Sequence, residues 1–496
     1  MLRILRYLKP YTLSVVVVVA LLFAQAMAEL ALPNYMSDIV NVGIQQGGVE
    51  NALPEAIRKT ELEKMYLFMT PEEKNSVESA YTFFDSSAPE AASTLKRFTR
   101  AGETEVYTLN ELTADQIQQL SPITGKALLA VYTLEQASAD PQKAAALSQQ
   151  TGMDLSQLPA GSDPFTLLLQ LPETQLAQIS GMVSGQFAAL DSSMITQAAA
   201  AAVKAEYLAL GADAQQIQTA YILQIGGLML LLTLAVVVCV VIISLLSART
   251  GAGFARDLRR DVFSKVSSFS KAEFETFSTA SLITRSTNDV TQMQMVTTMG
   301  MRMLFFAPIM AIGAIIRAVE KSPSMTWIIA LGVGTLLVMV IVIFSISLPR
   351  FQRIQQLIDR LNLVTRESLS GIMVIRAFNS QDFELKRFDK ANVDLMKNSL
   401  FVGRVMVTLF PFMTLIMSGL SLLIIWVGSH QVAASALQVG DMMAFLQYAM
   451  HVVFSFLMIS MMFIFLPRAA VSGRRINEVL SIDPIIRDPA QPQTFD

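Results

Sequence analysis

The sequence predicts an all-α membrane protein: six long transmembrane helices with cytoplasmic helical extensions, plus a mainly helical extracellular insert. Three observations carry this prediction. Hydrophobic residues make up 53% of the 496 and charged residues only 16%, with a mean hydropathy of +0.48. The apolar residues gather in six runs, each close to the roughly 20 residues needed to cross a hydrocarbon core of about 30 Å. Lys and Arg crowd some of the intervening segments and avoid others, which is how the positive-inside rule orients a multi-pass chain.

The first run is Tyr11–Leu32. Arg3, Arg6 and Lys9, then Leu13–Phe23, then AQAMAE imitate a cleaved signal peptide. The apolar character nevertheless continues through Leu30, Ala31, Leu32 and Tyr35, so the segment reads as an uncleaved span. The other runs are Tyr221–Leu246, Met303–Val319, Met325–Leu348, Val405–Val427 and Met442–Leu466. Basic residues cluster at the N-terminus, over Arg249–Arg285 and Arg350–Arg404, and at Arg468, Arg474 and Arg475, which assigns these segments and both termini to the cytoplasm. The stretch from Gly43 to Ala220 carries 10 Lys and Arg against 21 Asp and Glu and is placed outside. The expected layout is a first transmembrane helix over residues 1–43 and an extracellular helical insert over 44–218. Helices two to six with two cytoplasmic loops then occupy 219–468, and a linker occupies 469–496.

Within the insert, Asp115–Leu120, Gly125–Leu134 and Ser193–Leu210 have helical spacing. Pro122, Pro141, Gly152, Pro159 to Gly161 and Pro172 are expected to punctuate it. Phe165, Leu167, Leu168, Leu169 and Leu171 are expected core residues. The single cysteine, Cys239, lies in the second span, so the insert has no disulfide. With only His430 and His451 in the chain, no histidine-rich metal site is expected. The net charge of −3 points away from nucleic acid.

The cytoplasmic segments read as helices that outrun the membrane. Phe254, Leu258, Val262, Val266 and Phe269 form one face of a helix continuing from the second span. A helix over Ile222–Phe269 is about 70 Å long at 1.5 Å per residue. Ile354, Leu357, Leu361, Val364, Ser368 and Ile372 repeat the pattern before the fifth span. Two hairpins therefore end in short polar tips, one with Phe274, Glu275, Thr276 and Phe277, the other near Ala377–Asp382.

The tips lack the parts of an active site. No histidine lies on this side to serve as a base. Glu275 and Asp289 form a pair of carboxylates that helix capping and stalk ion pairs also explain. No GxxxxGK[ST] occurs; Gly125–Lys126 lacks both the upstream Gly and the following Ser or Thr. The chain is therefore not expected to be an enzyme. The tips read as surfaces for another domain to hold.

KAEFETFSTASLITRSTNDVTQMQ resembles the first cytoplasmic loop of ABC exporter transmembrane domains, in which F-D/E-x-F-x-T-[GA]-x-L-x-[ST]-R-x-x-N-D-[VI] recurs. ESLSGIMVIRAFNSQDFELKRFDKAN is similar to the second, and AVSGRRINEVL (Ala470–Leu480) to the family's closing helix. Everything but the insert is covered, and the likeness is to half-transporters of bacterial multidrug or lipid exporters. The resemblance implies coupling helices at Phe274–Phe277 and at Arg376, Ala377, Phe378, Asn379, Ser380, Gln381 and Asp382. It also implies nucleotide-binding domains as partners, with ATP and Mg bound there and no cofactor on this chain. A second half-transporter, as homodimer or heterodimer, would share the lipid bilayer of a bacterial plasma membrane. The segment SIDPIIRDPAQPQTFD stands where the nucleotide-binding domain would begin, so truncation is expected, the alternative being an ATPase on another chain.

Ionisable residues inside spans are candidates for a substrate cavity. Glu29 and Arg302 qualify, although Glu29 also suits the outer interface beside Pro33, and Arg302 can snorkel to the inner one. Of 28 methionines, Met413 and Met417, and Met458 and Met462, sit one helical turn apart. Such flexible side chains suit varied apolar ligands or fill gaps between helices. An ion-coupled carrier would need more mid-membrane charge. A membrane-anchored receptor acting through the acidic insert is the other alternative.

Overall fold

The computed structural model describes Ile4 and residues 6–84, 91–140, 165, 168, 181 and 192–485. A 3-10 turn, Arg6–Tyr11, leads into α1 (Thr12–Asp38), which continues as a π-helix over Ile39–Gln45. Next come β1 (Ala56–Arg58), α2 (Lys59–Tyr66), α3 (Pro71–Ala80), β2 (Tyr81–Phe83), α4 (Ala91–Arg97) and β3 (Val106–Leu109). They are followed by α5 (Ala114–Ala139), α6 (Ser192–Ala209) and α7 (Ala214–Ser267). The remainder is α8 (Lys271–Thr276), α9 (Thr279–Thr284), α10 (Val290–Lys321), α11 (Thr326–Ser370), α12 (Ile372–Ala377), α13 (Gln381–Ala433) and α14 (Val439–Ser481). Among the described residues, six helical stretches are long and apolar enough to cross a membrane: those carrying α1, α7, α10, α11, α13 and α14.

The helices outrun a bilayer for local reasons. α7 has 54 residues, about 80 Å at 1.5 Å per residue. It starts eight residues before the predicted Ile222 because Asp213 caps it, accepting from the amides of Gln215 at 2.9 Å and Gln216 at 3.3 Å. α13 has 53 residues and carries Pro411 without ending there.

The chain divides into two compact units, one of Met1–Leu30, Ala235–Trp426 and Phe445–Asp496, the other of Ala31–Leu234 and Val427–Ala444. In the first, the stripe read on α7 is a true core face: Phe254, Leu258 and Val262 are fully buried, with Val266 and Phe269 packed beside them. Ile4, Ala255, Phe277, Leu282, Val290, Met293, Ala469, Ile476 and Val479 complete this cluster. On α11 the corresponding stripe is shorter; Leu357 and Val364 are buried, but Ile372 is 40% exposed because Gly371 has already ended the helix.

The second unit contains a feature that helical spacing did not predict, a three-stranded antiparallel sheet in the order β1-β3-β2. Ala56 faces Thr108 and Tyr81 faces Leu109. Strands of three or four residues are too short to show a period-2 pattern in sequence, and only the core they cover reveals them. That core holds Ile57, Met65, Phe98, Val106, Phe165, Val203 and Leu210, with Leu168 packed against it. Pro122 does not break the chain as expected. α5 runs through it, because burial of Ala127, Leu128, Ala130 and Val131 outweighs the roughly 3 kcal/mol that an interior proline costs. Leu167, Leu169 and Leu171, together with Pro141, Gly152, Pro159, Gly161 and Pro172, lie outside the described residues.

In this same unit α1 and α14 meet through Gly440. Its amide donates to Asn41 Oδ1 at 2.7 Å, while Ser37 Oγ donates to Asp441 Oδ1 at 2.8 Å. A Cβ on Gly440 would fall 2.5 Å from the Ser37 carbonyl oxygen and 2.6 Å from Asn41 Oδ1. Small residues permit such close backbone approach. Gly440→Ala is expected to cost about 1–3 kcal/mol and lower the unfolding temperature of the detergent-solubilised chain by several degrees. Gly419→Ala, with open space around it, should not; equal effects of the two would refute the close-approach argument.

Candidate functional site

The first tip is built around a capped turn. Ser270 is the cap of α8, and Glu273 reaches back to it, accepting from the Ser270 amide at 2.6 Å and from the Ser270 hydroxyl. The other Glu273 oxygen accepts from the backbone amide of Ile485 at 2.8 Å. The Ser270 hydroxyl and then the Ile485 amide stabilise the charged form and push the Glu273 carboxyl down to about 2.

The predicted residues divide into two kinds. Phe277 is buried, stacked on Phe269 at 6.3 Å with the Arg285 guanidinium 4.7 Å from its ring centre. It holds the tip together from inside. Phe274 is 41% exposed and meets Phe269 only edge-on. Glu275 is exposed and pairs loosely with Lys271 at 4.0 Å, and Thr276 turns its hydroxyl back to the Ala272 carbonyl. Phe274 and Glu275 therefore face outward, and Phe277 does not.

The start of α10 and the end of α14 are fastened to this tip. Ser472 donates to the buried carboxylate of Asp289 at 2.7 Å. Arg285 donates to the Arg475 carbonyl at 2.8 Å and to Glu478 at 3.0 Å. With Glu273 and Ile485 these contacts form three successive rungs running towards Ile485. NDV in the sequence reads as capping vocabulary; the partner of Asp289 lies 183 residues away, which local spacing could not reveal.

The second short helix is α12, Ile372–Ala377, so the predicted residues straddle its end. Arg376 and Ala377 close the helix, Phe378, Asn379 and Ser380 form the turn, and Gln381 and Asp382 open α13. Asn379 adopts φ 50°, the left-handed conformation that asparagine tolerates. This lets the Ser380 amide donate to the Ile375 carbonyl at 2.9 Å. Glu367 on α11 pairs with Arg387 on α13, and Ser368 donates to Glu384 at 3.1 Å, closing the hairpin. Phe378 is 77% exposed. Met373, Val374 and Phe383 are also exposed and make the tip an apolar patch that the sequence reading missed. The visible signal was IMV, three consecutive apolar residues outside any span.

The candidate cavity residues are scattered. Met462 lines an apolar cavity of about 290 Å³ with Met293, Met295, Met299, Met301 and Met303 of α10. Glu29, Arg302, Met413, Met417 and Met458 do not border it. Glu29 accepts from Gln25 at 2.7 Å, and Arg302 lies 5.9 Å from the centre of the Phe306 ring. Met413 is buried, while Met417 and Met458 are half-buried. These five of the six methionines of α10 were legible as MQMVTTMGMRM but were passed over for those of the last two spans. Among the described residues no cluster of His, Cys, Asp and Glu could hold a metal ion.

The sequence model of the family described as "ABC transporter transmembrane region" matches residues 188–466. An uncharacterized ABC transporter ATP-binding protein of Mycobacterium tuberculosis is 38% identical over 275 residues, 55% of this chain and 47% of the relative. Another, YfiB of Bacillus subtilis, is 32% identical over 240 residues, 48% of this chain and 42% of the relative. The multidrug resistance-like ATP-binding protein MdlA of Escherichia coli is 26% identical over 244 residues, 48% of this chain and 40% of the relative. The chain thus spans less than half the length of these curated relatives.

Proposed function

Because the chain belongs to the ABC transporter transmembrane-region family and is a multi-pass membrane part of such a transporter, we propose that it is the permease half of an ATP-driven exporter. The observation that carries this reading is the pair of short tip helices, each presenting exposed phenylalanine at the end of helices longer than a bilayer requires. A stiff helix of about 80 Å acts as a lever, so a push at its tip reaches the membrane-spanning portion. Nucleotide-binding domains, holding ATP and Mg, supply that push from beyond residue 496 or from another chain. This chain itself hydrolyses nothing.

Dimerisation follows the same logic. The most apolar window of α7 is only 6% buried within the chain and that of α13 only 17%. Such surfaces suit lipid and a second half-transporter. Both termini and both tips face the cytoplasm of a bacterial plasma membrane, and the acidic insert faces outside. The cargo is an amphipathic compound, a drug or a lipid, moved outward by alternating access, with the methionine-lined cavity offering soft contacts for varied shapes.

The direct test uses inside-out vesicles containing the complete transporter. Added ATP is expected to drive an amphipathic dye into the vesicle lumen, with no accumulation when ATP is replaced by ADP. Equal dye levels with ATP and ADP, or ATP-driven loss of preloaded dye, would sink the export assignment.

A further inference from the structure

The 3-10 turn Arg6–Tyr11, the end of α7 and the end of α14 enclose a groove of about 740 Å³. Its chemistry is opposite to that of the methionine cavity. Arg6, Arg256, Arg260 and Lys265 line it against two carboxylates, Asp257 and Asp261. Both acids are already engaged. Asp257 accepts from the Tyr11 hydroxyl at 2.8 Å and from Arg256 at 2.9 Å. Asp261 accepts from the Tyr7 hydroxyl at 2.9 Å and from Arg260 at 3.0 Å. Burial disfavours the charged form of Asp257, yet Tyr11 and Arg256 together hold its carboxyl below the ordinary value.

Each acid thus offsets its neighbouring arginine. Arg6 and Lys265 form no ion pair among the described residues, and Lys265 is half-buried. Four cationic side chains against two carboxylates leave the groove net positive, so it favours an anion. Arginine and lysine suit phosphate in complementary ways, one as a planar fork and the other as a point charge. The groove also contains Asn477, whose buried amide oxygen has no hydrogen-bond partner.

Position adds the last constraint. Tyr11 is followed directly by α1, whose apolar run begins at Leu13, so the Arg6–Tyr11 edge of the groove lies where a membrane span begins. Gly253 lets α7 approach here, since a Cβ would meet the Tyr11 hydroxyl at 2.4 Å. We infer that this groove is a binding site for a phosphate group, carried by a phospholipid headgroup at the bilayer surface or by a soluble phosphate.

The test is binding to the full chain in neutral detergent, read by thermophoresis, with three probes: dihexanoyl phosphatidylglycerol, dihexanoyl phosphatidylcholine and inorganic phosphate. Phosphatidylglycerol is expected to bind saturably, and the double variant Arg6→Gln/Lys265→Gln to bind it at least tenfold more weakly. Arg6→Lys/Lys265→Arg should restore binding, and the exposed control Lys390→Gln should leave it unchanged. Competition by inorganic phosphate at similar concentration identifies a soluble phosphate as the ligand source; competition only by lipid identifies a headgroup. The Gln substitutions break no ion pair, so the unfolding temperature should stay unchanged and confirm that the variant is folded. Unaltered phosphatidylglycerol affinity in that folded variant overturns the site. So does equal binding of phosphatidylcholine that is insensitive to the substitutions, or no saturable binding of any probe.

Discussion

Phe378→Ala is expected to reduce ATP-driven transport by the complete transporter at least tenfold while leaving its folding intact. Phe378 is 77% exposed in this chain, so its ring contributes little to the folded core. On docking, an aromatic at the centre of a contact is typically worth about 2 kcal/mol or more, a factor of roughly 30 in affinity. Loss of that grip leaves ATP hydrolysis running while the tip is no longer moved. Glu275→Lys should act in the same direction at the first tip, since its exposed pairing with Lys271 is worth little to folding. Phe277→Ala supplies the contrast. That ring is buried between Phe269 and Arg285, so its loss should lower the unfolding temperature before any coupling is measured. The measurement is paired ATPase and transport rates on each variant, with thermal unfolding alongside. Transport at the unaltered rate in Phe378→Ala would refute a docking role for the second tip.

The contrast between Phe274, Phe277 and Phe378 also shows how far sequence reaches. Apolar runs and charge asymmetry report on an average property of 20 residues, and the six apolar helices followed directly from them. The α7 face was equally legible, because a helix buries every third or fourth residue and Phe254, Leu258 and Val262 keep that spacing. What spacing lacks is the identity of the neighbour across the contact. Phe274 and Phe277 are three residues apart and look equivalent in FETF. Only the placement of Phe269 and Arg285 buries one of them and leaves the other outside. The sheet escaped for a related reason: Ala56–Arg58 and Tyr81–Phe83 become strands because Val106–Leu109 lies between them. Glu273 was passed over in favour of its neighbour Glu275. Ser270 three residues earlier was the available signal, a capping box, but the amide of Ile485 could not be foreseen.

That overlooked carboxylate leads to the second large effect. Glu273→Ala is expected to release the segment after α14 from the first tip, accelerating hydrogen exchange at the Ile485 amide by about tenfold or more. Two further rungs, Asp289 with Ser472 and Arg285 with Glu478, remain in place, so release should be local and the rest of α14 should keep its protection. The pH dependence separates this charge-assisted contact from ordinary packing. An unperturbed glutamate has a pKa near 4.3, whereas Glu273 is pushed down to about 2 by the Ser270 hydroxyl and the Ile485 amide. A depressed folded value means that the contact adds stability above the unfolded pKa, and that this contribution is lost as pH falls towards 2. Between about pH 3 and 4, where free glutamate becomes mostly protonated, Glu273 should therefore remain ionised and Ile485 protected. A carboxyl titration followed by infrared difference spectra, with Glu273→Gln as the blank, reads this directly. A midpoint near 4.3, or Ile485 exchange unchanged in Glu273→Ala, would show that the tip and the closing segment are not joined through this carboxylate. If the joint holds, the first tip is tied to the segment after α14 through Ile485, in addition to any docking on Phe274. In the proposed mechanism the second tip, with its exposed Phe378, would rely on docking alone for its grip.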